Sequence, residues 1–257
     1  MKNKFTICVL LYGDYPELAD RCLRSITATV ARDDLNLVVI LNSVTPAVSA
    51  WVRSWVPDEQ ILEVSDNPGK YPLMRRVLHE TDLVTTPYFM WFDDDSFLKG
   101  FSLTEDHPEK SWLSVVSDAM ENADVIGSIY TMRWMGEQRE FVMQQPWYGG
   151  KSPAERGSIK FATGGWWTAR TDVLRRFNYP WPALHHNGGD TMLGELCFQQ
   201  DLRLKNFRTG VRINADDQGR ESKAPRRGIT GGVPLGVAKE TKTSPTDALH
   251  VATQPLT

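Results

Sequence analysis

Three carboxylates stand side by side at Asp93-Asp94-Asp95, directly after the run Tyr88-Phe89-Met90-Trp91-Phe92. Adjacent anions repel one another. A divalent cation relieves that repulsion, and hard oxygen ligands suit Mg²⁺ or Mn²⁺. The alternative is a solvated acidic turn. The bulky run before them, bounded by turn signals, predicts a strand covered on both faces. The carboxylates then fall at its C-terminal end, the edge at which open α/β sheets bind ligands. Farther on, Gly188-Gly189-Asp190 sets a fourth carboxylate at a predicted helix start, where an aspartate suits an N-cap.

Strand and helix patterns alternate through the first hundred residues, and these elements must hold the carboxylates in place. Residues 5–11 predict a first strand. Pro16, followed by Leu18, Cys22, Leu23 and Ile26 at helical spacing, predicts a helix over 16–30. Residues 35–41 predict a second buried strand, 48–55 a helix and 61–64 a short third strand. Asn67-Pro68-Gly69 is a turn signal, and 73–79 a helix leading into the carboxylate-bearing strand. This rhythm implies an α/β fold with a parallel, Rossmann-like sheet. No GxGxxG follows the first strand, so the dinucleotide fingerprint is absent. Beyond residue 100 the pattern predicts a loop and a helix around Trp112, Val115, Val116 and Ala119, then a strand over 124–134. A long polar loop over 136–157 is broken by Pro146, Gly149, Gly150 and Pro153. An apolar, Gly-rich stretch over 161–168 precedes a short helix over 171–177 with Thr171 as N-cap, and a helix over 190–202. From Asp216 the chain turns to Gly, Pro, Ser, Thr and Lys. A folded domain is therefore expected over 1–215 and an irregular segment over 216–257.

Composition excludes several classes. With 41% hydrophobic and 24% charged residues, the 257-residue chain is ordinary for a soluble globular protein. No apolar run approaches the ~20 residues that span a bilayer. The opening is basic and then apolar, but residues 7–11 are too short for a signal-peptide core and no small-residue cleavage site follows. A cytoplasmic location is expected. Cys8, Cys22 and Cys197 lack metal-ligand spacing and predict buried free thiols in a reducing compartment. The net charge of -3 hides an asymmetry: residues 1–202 carry 19 basic and 27 acidic residues, whereas 203–227 carry eight basic and three acidic. That basic segment, with Arg226 and Arg227, predicts a clamp on a polyanion or on phosphates, or else a face folded back on the acidic body.

Four segments over about residues 5–205 carry a family likeness. They are CVLLYGDYPELADRCLRSI, DNPGKYPLMRRVL, MWFDDDSF, and FATGGWWTARTDVLRRF followed by GGDTMLGELCFQQ. In that order they resemble features of the GT-A-fold glycosyltransferases of the family 2 type. These features are the opening strand with its Tyr-Asn turn, the N-x-G-x-x-x-A-x-N region, the D-x-D motif, and the acceptor-side Gly pair with its (E/D)-D helix start. The resemblance implies a Rossmann-like α/β/α sandwich around a mostly parallel central sheet. Residues 1–99 would form the nucleotide-sugar half and 100–215 the acceptor half. It also implies inverting transfer of a hexosyl or pentosyl group from a nucleoside-diphosphate sugar, a UDP-sugar first, to an acceptor hydroxyl. Mn²⁺ or Mg²⁺ would stabilise the leaving diphosphate.

The same resemblance implies residue roles. Asp95 would bind the metal directly, Asp93 the metal or the ribose, and Asp94 would support them. Tyr12 would stack on the base and Asp14 accept from the base or ribose, although Tyr-Gly-Asp stands where the family often has Tyr-Asn. Asn42 ends the second strand where the family often has an acidic residue, which leaves the nucleotide open. Lys70 would meet a phosphate or the base, or stay solvated, and Arg75 would reach the diphosphate. Gly164 and Gly165 would let the backbone approach the donor sugar. Asp190 would be the base that takes the acceptor hydroxyl's proton, an N-cap, or both. His185 and His186 would contact the acceptor or a phosphate. Trp166 and Trp167, with Trp134, Trp147 and Trp181 nearby, would offer flat faces to sugars, or else pack in the core.

Rival readings remain. A nucleotidyltransferase or phosphotransferase also places carboxylates around a metal–phosphate complex, but no Gly-rich phosphate loop is present. A sugar-binding module without catalysis would not need both the aspartate run and Gly-Gly-Asp. A glycan is the first acceptor expected. DNA with a hydroxymethylated base, or another polyanion, is the second.

Overall fold

One sheet divides the hydrophobic residues of this chain between two cores. The computed structural model describes residues 4–30, 36–99, 111–133, 141–151, 158–184 and 188–213. The segment over 216–257, and Trp134, His185, His186, Arg226 and Arg227, lie outside the described residues. Strands β1 (Phe5–Tyr12), β2 (Asn36–Asn42), β3 (Ile61–Val64), β4 (Tyr88–Asp93), β6 (Val125–Arg133), β7 (Ser158–Arg170) and β8 (Leu204–Asn206) form a sheet of order β3-β2-β1-β4-β7-β6-β8. Pairings β1–β2, β1–β4, β2–β3 and β6–β8 are parallel; β7 runs antiparallel between β4 and β6. The sheet is thus mostly parallel, and strands from both sides of residue 100 share it. Two short strands, β5 (Phe97–Leu98) and β9 (Val211–Arg212), make a separate antiparallel pair.

Side-chain alternation explains the two cores. Ile7, Val9 and Leu11 of β1, with Met90 and Phe92 of β4, face one layer. That layer also holds α1 (Pro16–Thr29), α2 (Pro46–Arg53) and α4 (Trp112–Glu121). Cys8 and Leu10, with Phe89 and Trp91, face the other. It is filled by α3 (Lys70–Arg75), the π turn Arg76–Glu80 that continues it, α5 (Thr171–Arg176) and α6 (Gly189–Gln199). In α1 the buried residues Leu18, Ala19, Cys22, Leu23 and Ile26 form one stripe, with Pro16 in the first turn where its missing N–H costs nothing. All three cysteines are free and buried.

Three local expectations change. The third helix begins at Lys70, immediately after Gly69 (φ +98°), because Lys70 and Tyr71 join Leu73, Met74, Val77 and Leu78 as buried residues. Thr171 is the first helical residue of α5 and not its cap; its N–H bonds to the Pro87 carbonyl at 2.9 Å. Part of the loop expected over 136–157 is interior: Val142 and Trp147 are buried. Gln199 at the end of α6 accepts from the N–H groups of Gly149 (3.1 Å) and Lys151 (3.2 Å), and Gln200 donates to the Trp147 carbonyl.

Candidate active site

The strand order reverses beside β1: β2 and β3 lie on one side, β4 on the other. In open α/β sheets such a switch point opens a crevice beyond the strands' C-terminal ends. Leu10 pairs with Asp93, so the ends of β1 and β4 lie level there. The three aspartates resolve their repulsion in three ways. Asp93 accepts from the Trp91 indole Nε1 through Oδ1 (2.8 Å) and from Lys70 Nζ through Oδ2 (2.7 Å). Asp94 is 3% exposed and accepts from the Tyr12 main-chain N–H at 3.3 Å, tying β1 to the loop after β4. Asp95 is half-buried beside Ser96, and the Ser96 N–H closes the turn on the Asp93 carbonyl at 2.9 Å.

Lys70 is only 6% exposed, which removes the reading of a solvated lysine. Its ammonium also donates to the Gly164 carbonyl and lies 5.7 Å from the Trp91 ring centroid. A buried charge needs both an opposite charge and further hydrogen bonds, and Lys70 has them. Gly164 belongs to an irregular stretch of β7. Between two paired positions β6 advances from Gly127 to Ile129 while β7 runs from Trp167 to Ala162. The extra β7 residues leave the ladder, freeing the Gly164 carbonyl for Lys70.

Asp190 approaches from the other side. Gly188 caps α6 in the left-handed region (φ +83°). A Cβ on Gly189 would stand 2.2 Å from the Tyr71 ring, so only glycine fits between them. The Tyr71 hydroxyl accepts from the Asp190 main-chain N–H at 2.9 Å, fixing where the helix starts. Asp190 Oδ1 accepts from the Thr191 N–H at 3.0 Å, and the positive end of the helix lies beneath the carboxylate. Burial pushes the Asp190 carboxyl up; Lys70 and N–H groups that include that of Gly164 oppose the rise. A carboxylate shifted upward by desolvation beside a cation has the profile of a general base.

Other expected residues fall into three groups. Tyr12, Asp14 and Asn42 line the ends of β1 and β2. Tyr12 is half-buried, Asp14 accepts from Thr45 Oγ1 at 3.0 Å, and Asn42 is buried with its Nδ2 on Asn67 Oδ1 at 2.8 Å. Arg75 is held by other partners: its Nη1 donates to Asn178 Oδ1 (2.8 Å) and the Pro180 carbonyl (2.9 Å), bracing the segment after α5, and its Nε lies 3.7 Å from Glu80 Oε1. Trp166 and Trp167 are a correction. Both are wholly buried, because consecutive strand residues point to opposite faces. Trp166 packs on Phe92, Trp112 and Phe207, and Trp167 on Phe89 and Tyr179. Trp147 and Trp181 stack together in the same core as Trp167.

Sequence reasoning missed Trp91 and Tyr71. Trp91 lies two residues before Asp93, and period-two alternation puts the two on one face. Tyr71 carried no signal beyond its place next to Lys70. The basic segment is partly folded back: Arg203 grips Asp124 with Nε–Oδ2 3.1 Å and Nη2–Oδ1 3.2 Å, and Arg208 lies over the Tyr130 ring.

No protein-family model and no curated protein matches the chain in sequence. Solved structures do match in shape. One is a mannosyltransferase of Pyrobaculum calidifontis in complex with GDP-Man and Mn²⁺: 14% identity, TM-score 0.53, covering 80% of this chain and 55% of that one. Another is S. aureus TarS 1-349 in complex with UDP: 14% identity, TM-score 0.51, covering 80% of this chain and 58% of that one. The chain therefore spans a little over half the length of these neighbours. With the switch-point carboxylates and the mostly parallel seven-stranded sheet, the likeness establishes its architecture: this chain has the fold of the GT-A-type glycosyltransferases.

Proposed function

We propose that the chain is a glycosyltransferase that moves a sugar from a nucleoside-diphosphate sugar to an acceptor hydroxyl, inverting the anomeric carbon. One observation carries this reading. The Asp93–Asp95 run beyond β4 and Asp190 at the start of α6 converge on Lys70 and the Gly164 peptide from two sides. One carboxylate set suits a diphosphate site, and the other suits proton removal from an incoming hydroxyl.

UDP- and GDP-sugars are the first donors to test, since the neighbours bind UDP and GDP-Man. Tyr12 would stack on the base, with Asp14 and Asn42 near the ribose, and Gly164-Gly165 would admit the sugar. A divalent ion is supported by the Mn²⁺ of the mannosyltransferase neighbour. Among the described residues no group of three His, Cys, Asp or Glu forms a ready metal cage. The donor set still fits an ion held by one carboxylate and the substrate's own phosphates, the usual manner of Mg²⁺. Asp95 is the carboxylate we assign to it: it is half-buried in the turn just beyond the end of β4, at the switch point. Such an ion supplies charge neutralisation for the departing diphosphate. Asp190 takes the acceptor proton as the oxygen attacks the anomeric carbon and the bond to the diphosphate breaks.

We take the acceptor to be a glycan hydroxyl. A polyanion such as DNA with a hydroxymethylated base is the second reading. It is favoured by exposed Arg212, which pairs with Phe97 two residues beyond Asp95. Among the described residues no helix is long and apolar enough to cross a membrane. The three buried free thiols suit a reducing, cytoplasmic setting.

Thermal unfolding with UDP, GDP, CDP, dTDP and ADP, each with and without Mn²⁺, tests the reading, because a ligand of the native state raises its stability. Metal-dependent stabilisation by one nucleotide is expected and names the donor class. No stabilisation by any pair would overturn the nucleotide-sugar reading.

A further inference from the structure

We propose that Lys70 is a positioning residue that joins the two halves of the site: it holds Asp93 at the end of β4 and, through the Gly164 peptide, fixes the Asp190 carboxylate with a positive charge beside it. The inference rests on the transferase reading.

The geometry converges on one peptide. The Gly164 carbonyl takes a hydrogen bond from Lys70, and Gly164 lies against the Asp190 carboxylate. A Cβ on Gly164 would stand 3.1 Å from Lys70 Nζ and 3.6 Å from Asp190 Oδ2, so cation and carboxylate flank the same residue. Lys70 cannot leave easily. It is the first residue of α3, its stem is buried, and its ammonium is held by Asp93 Oδ2 at 2.7 Å. Burying a lysine against one carboxylate often breaks even at best. This lysine also does something for a second carboxylate, on another element and 120 positions along the chain.

The groups acting around Asp190 come from three elements. Lys70 and Tyr71 belong to α3, Tyr179 follows α5, and Asp93, which acts on Tyr71 together with Asp190, ends β4. Burial raises the Asp190 carboxyl, and Lys70 is the cation that opposes it. Removing the charge should let the carboxyl rise further, leaving less of the base form at neutral pH. A residue that merely touched the donor would leave Asp190 as it was.

The test is a ¹³C titration of aspartate carboxyls in the full chain, with the Asp190 signal assigned by Asp190→Asn. It is run on wild type, Lys70→Met and Lys70→Arg, alongside pH–rate profiles and the separate KM and kcat of transfer. Lys70→Met should move the Asp190 midpoint upward and shift the rising limb of the rate profile the same way. At neutral pH kcat should fall by roughly 10²-fold, the scale of a misplaced reacting group. Lys70→Arg should keep the midpoint near that of wild type. Should Lys70→Met fail to fold, Lys70→Gln removes the charge while keeping a donor and carries the same titration. An unmoved Asp190 midpoint, or a loss confined to the donor KM, overturns the proposal. A wild type that binds no nucleotide sinks the transferase reading instead, and the carboxyl titration stays readable in that case.

Discussion

The aspartate run 93–95 and the tryptophan pair 166–167 sit on neighbouring strands at nearly the same height, for Trp91 pairs with Trp167 and Phe92 with Trp166. Both looked chemical in sequence. Their fates differ because the tryptophans lie within β7 and the aspartates at and past the end of β4. Inside the strand, alternation assigns one tryptophan to each core, and neither reaches a ligand. One residue farther along, β4 leaves its ladder with β7, and Asp93 at the strand end meets the Lys70 ammonium. Position relative to the strand end, more than residue type, separates packing from chemistry here.

That comparison breaks if a change inside the strand spares stability, or if one beyond it unfolds the chain. The largest effect expected is on Trp167→Ala, which should lose about 3–5 kcal/mol of stability in denaturant unfolding, the usual range for a buried aromatic. An unchanged midpoint would return Trp167 to the surface. Asp190→Asn should lower transfer by about 10²-fold or more while nucleotide binding by calorimetry persists; near-normal transfer would leave Asp190 as a helix-start residue only. Asp95→Ala should abolish the Mn²⁺-dependent part of nucleotide stabilisation, which for wild type at a hundredfold excess over Kd amounts to about 2.7 kcal/mol. Persistence of that part would move the ion elsewhere. Arg75→Ala should cost about 1 kcal/mol through its lost hydrogen bonds and change transfer less than the site variants do. A large loss of donor affinity would restore the diphosphate role.

A further contrast is one of pH. Burial raises the folded-state Asp190 carboxyl above its unfolded value. The folded chain therefore holds that proton more tightly, and the stabilisation is complete below the unfolded value and lost as pH rises through the folded one. Under the proposed function transfer would run the other way, because a general base must be unprotonated. Asp190→Asn should thus melt higher than wild type above the raised value, and the two should converge on acidification. Equal melting at all pH would show that Asp190 carries no such penalty.

Much of the fold was legible because strands covered on both faces advertise themselves as unbroken apolar runs. Residues 61–64 were read to the residue, and β1, β2 and β4 to within one or two. The direction of β7 was not, since an apolar run carries no arrow. Nor was the burial of Lys70, whose partners Asp93 and Gly164 lie 23 and 94 positions away and exist only once the sheet is assembled. The carboxylates of the site were visible as residue types. Which of them would face the crevice and which would tie down backbone was not visible, because Tyr12 and Tyr71 decide it through contacts between elements.

Helix α6 is anchored at both ends: at its start by Tyr71 against Gly189 and the Asp190 N–H, and at its finish by Gln199 and Gln200 against residues 147–151. A rod clamped twice does not swing. On the proposed transferase reading, the frame holds the Asp190 carboxylate in place before any substrate arrives, so an acceptor hydroxyl would have to come to it. Laboratory evolution toward bulkier acceptors should accordingly find its productive substitutions in the surrounding loops and leave positions 188–200 untouched.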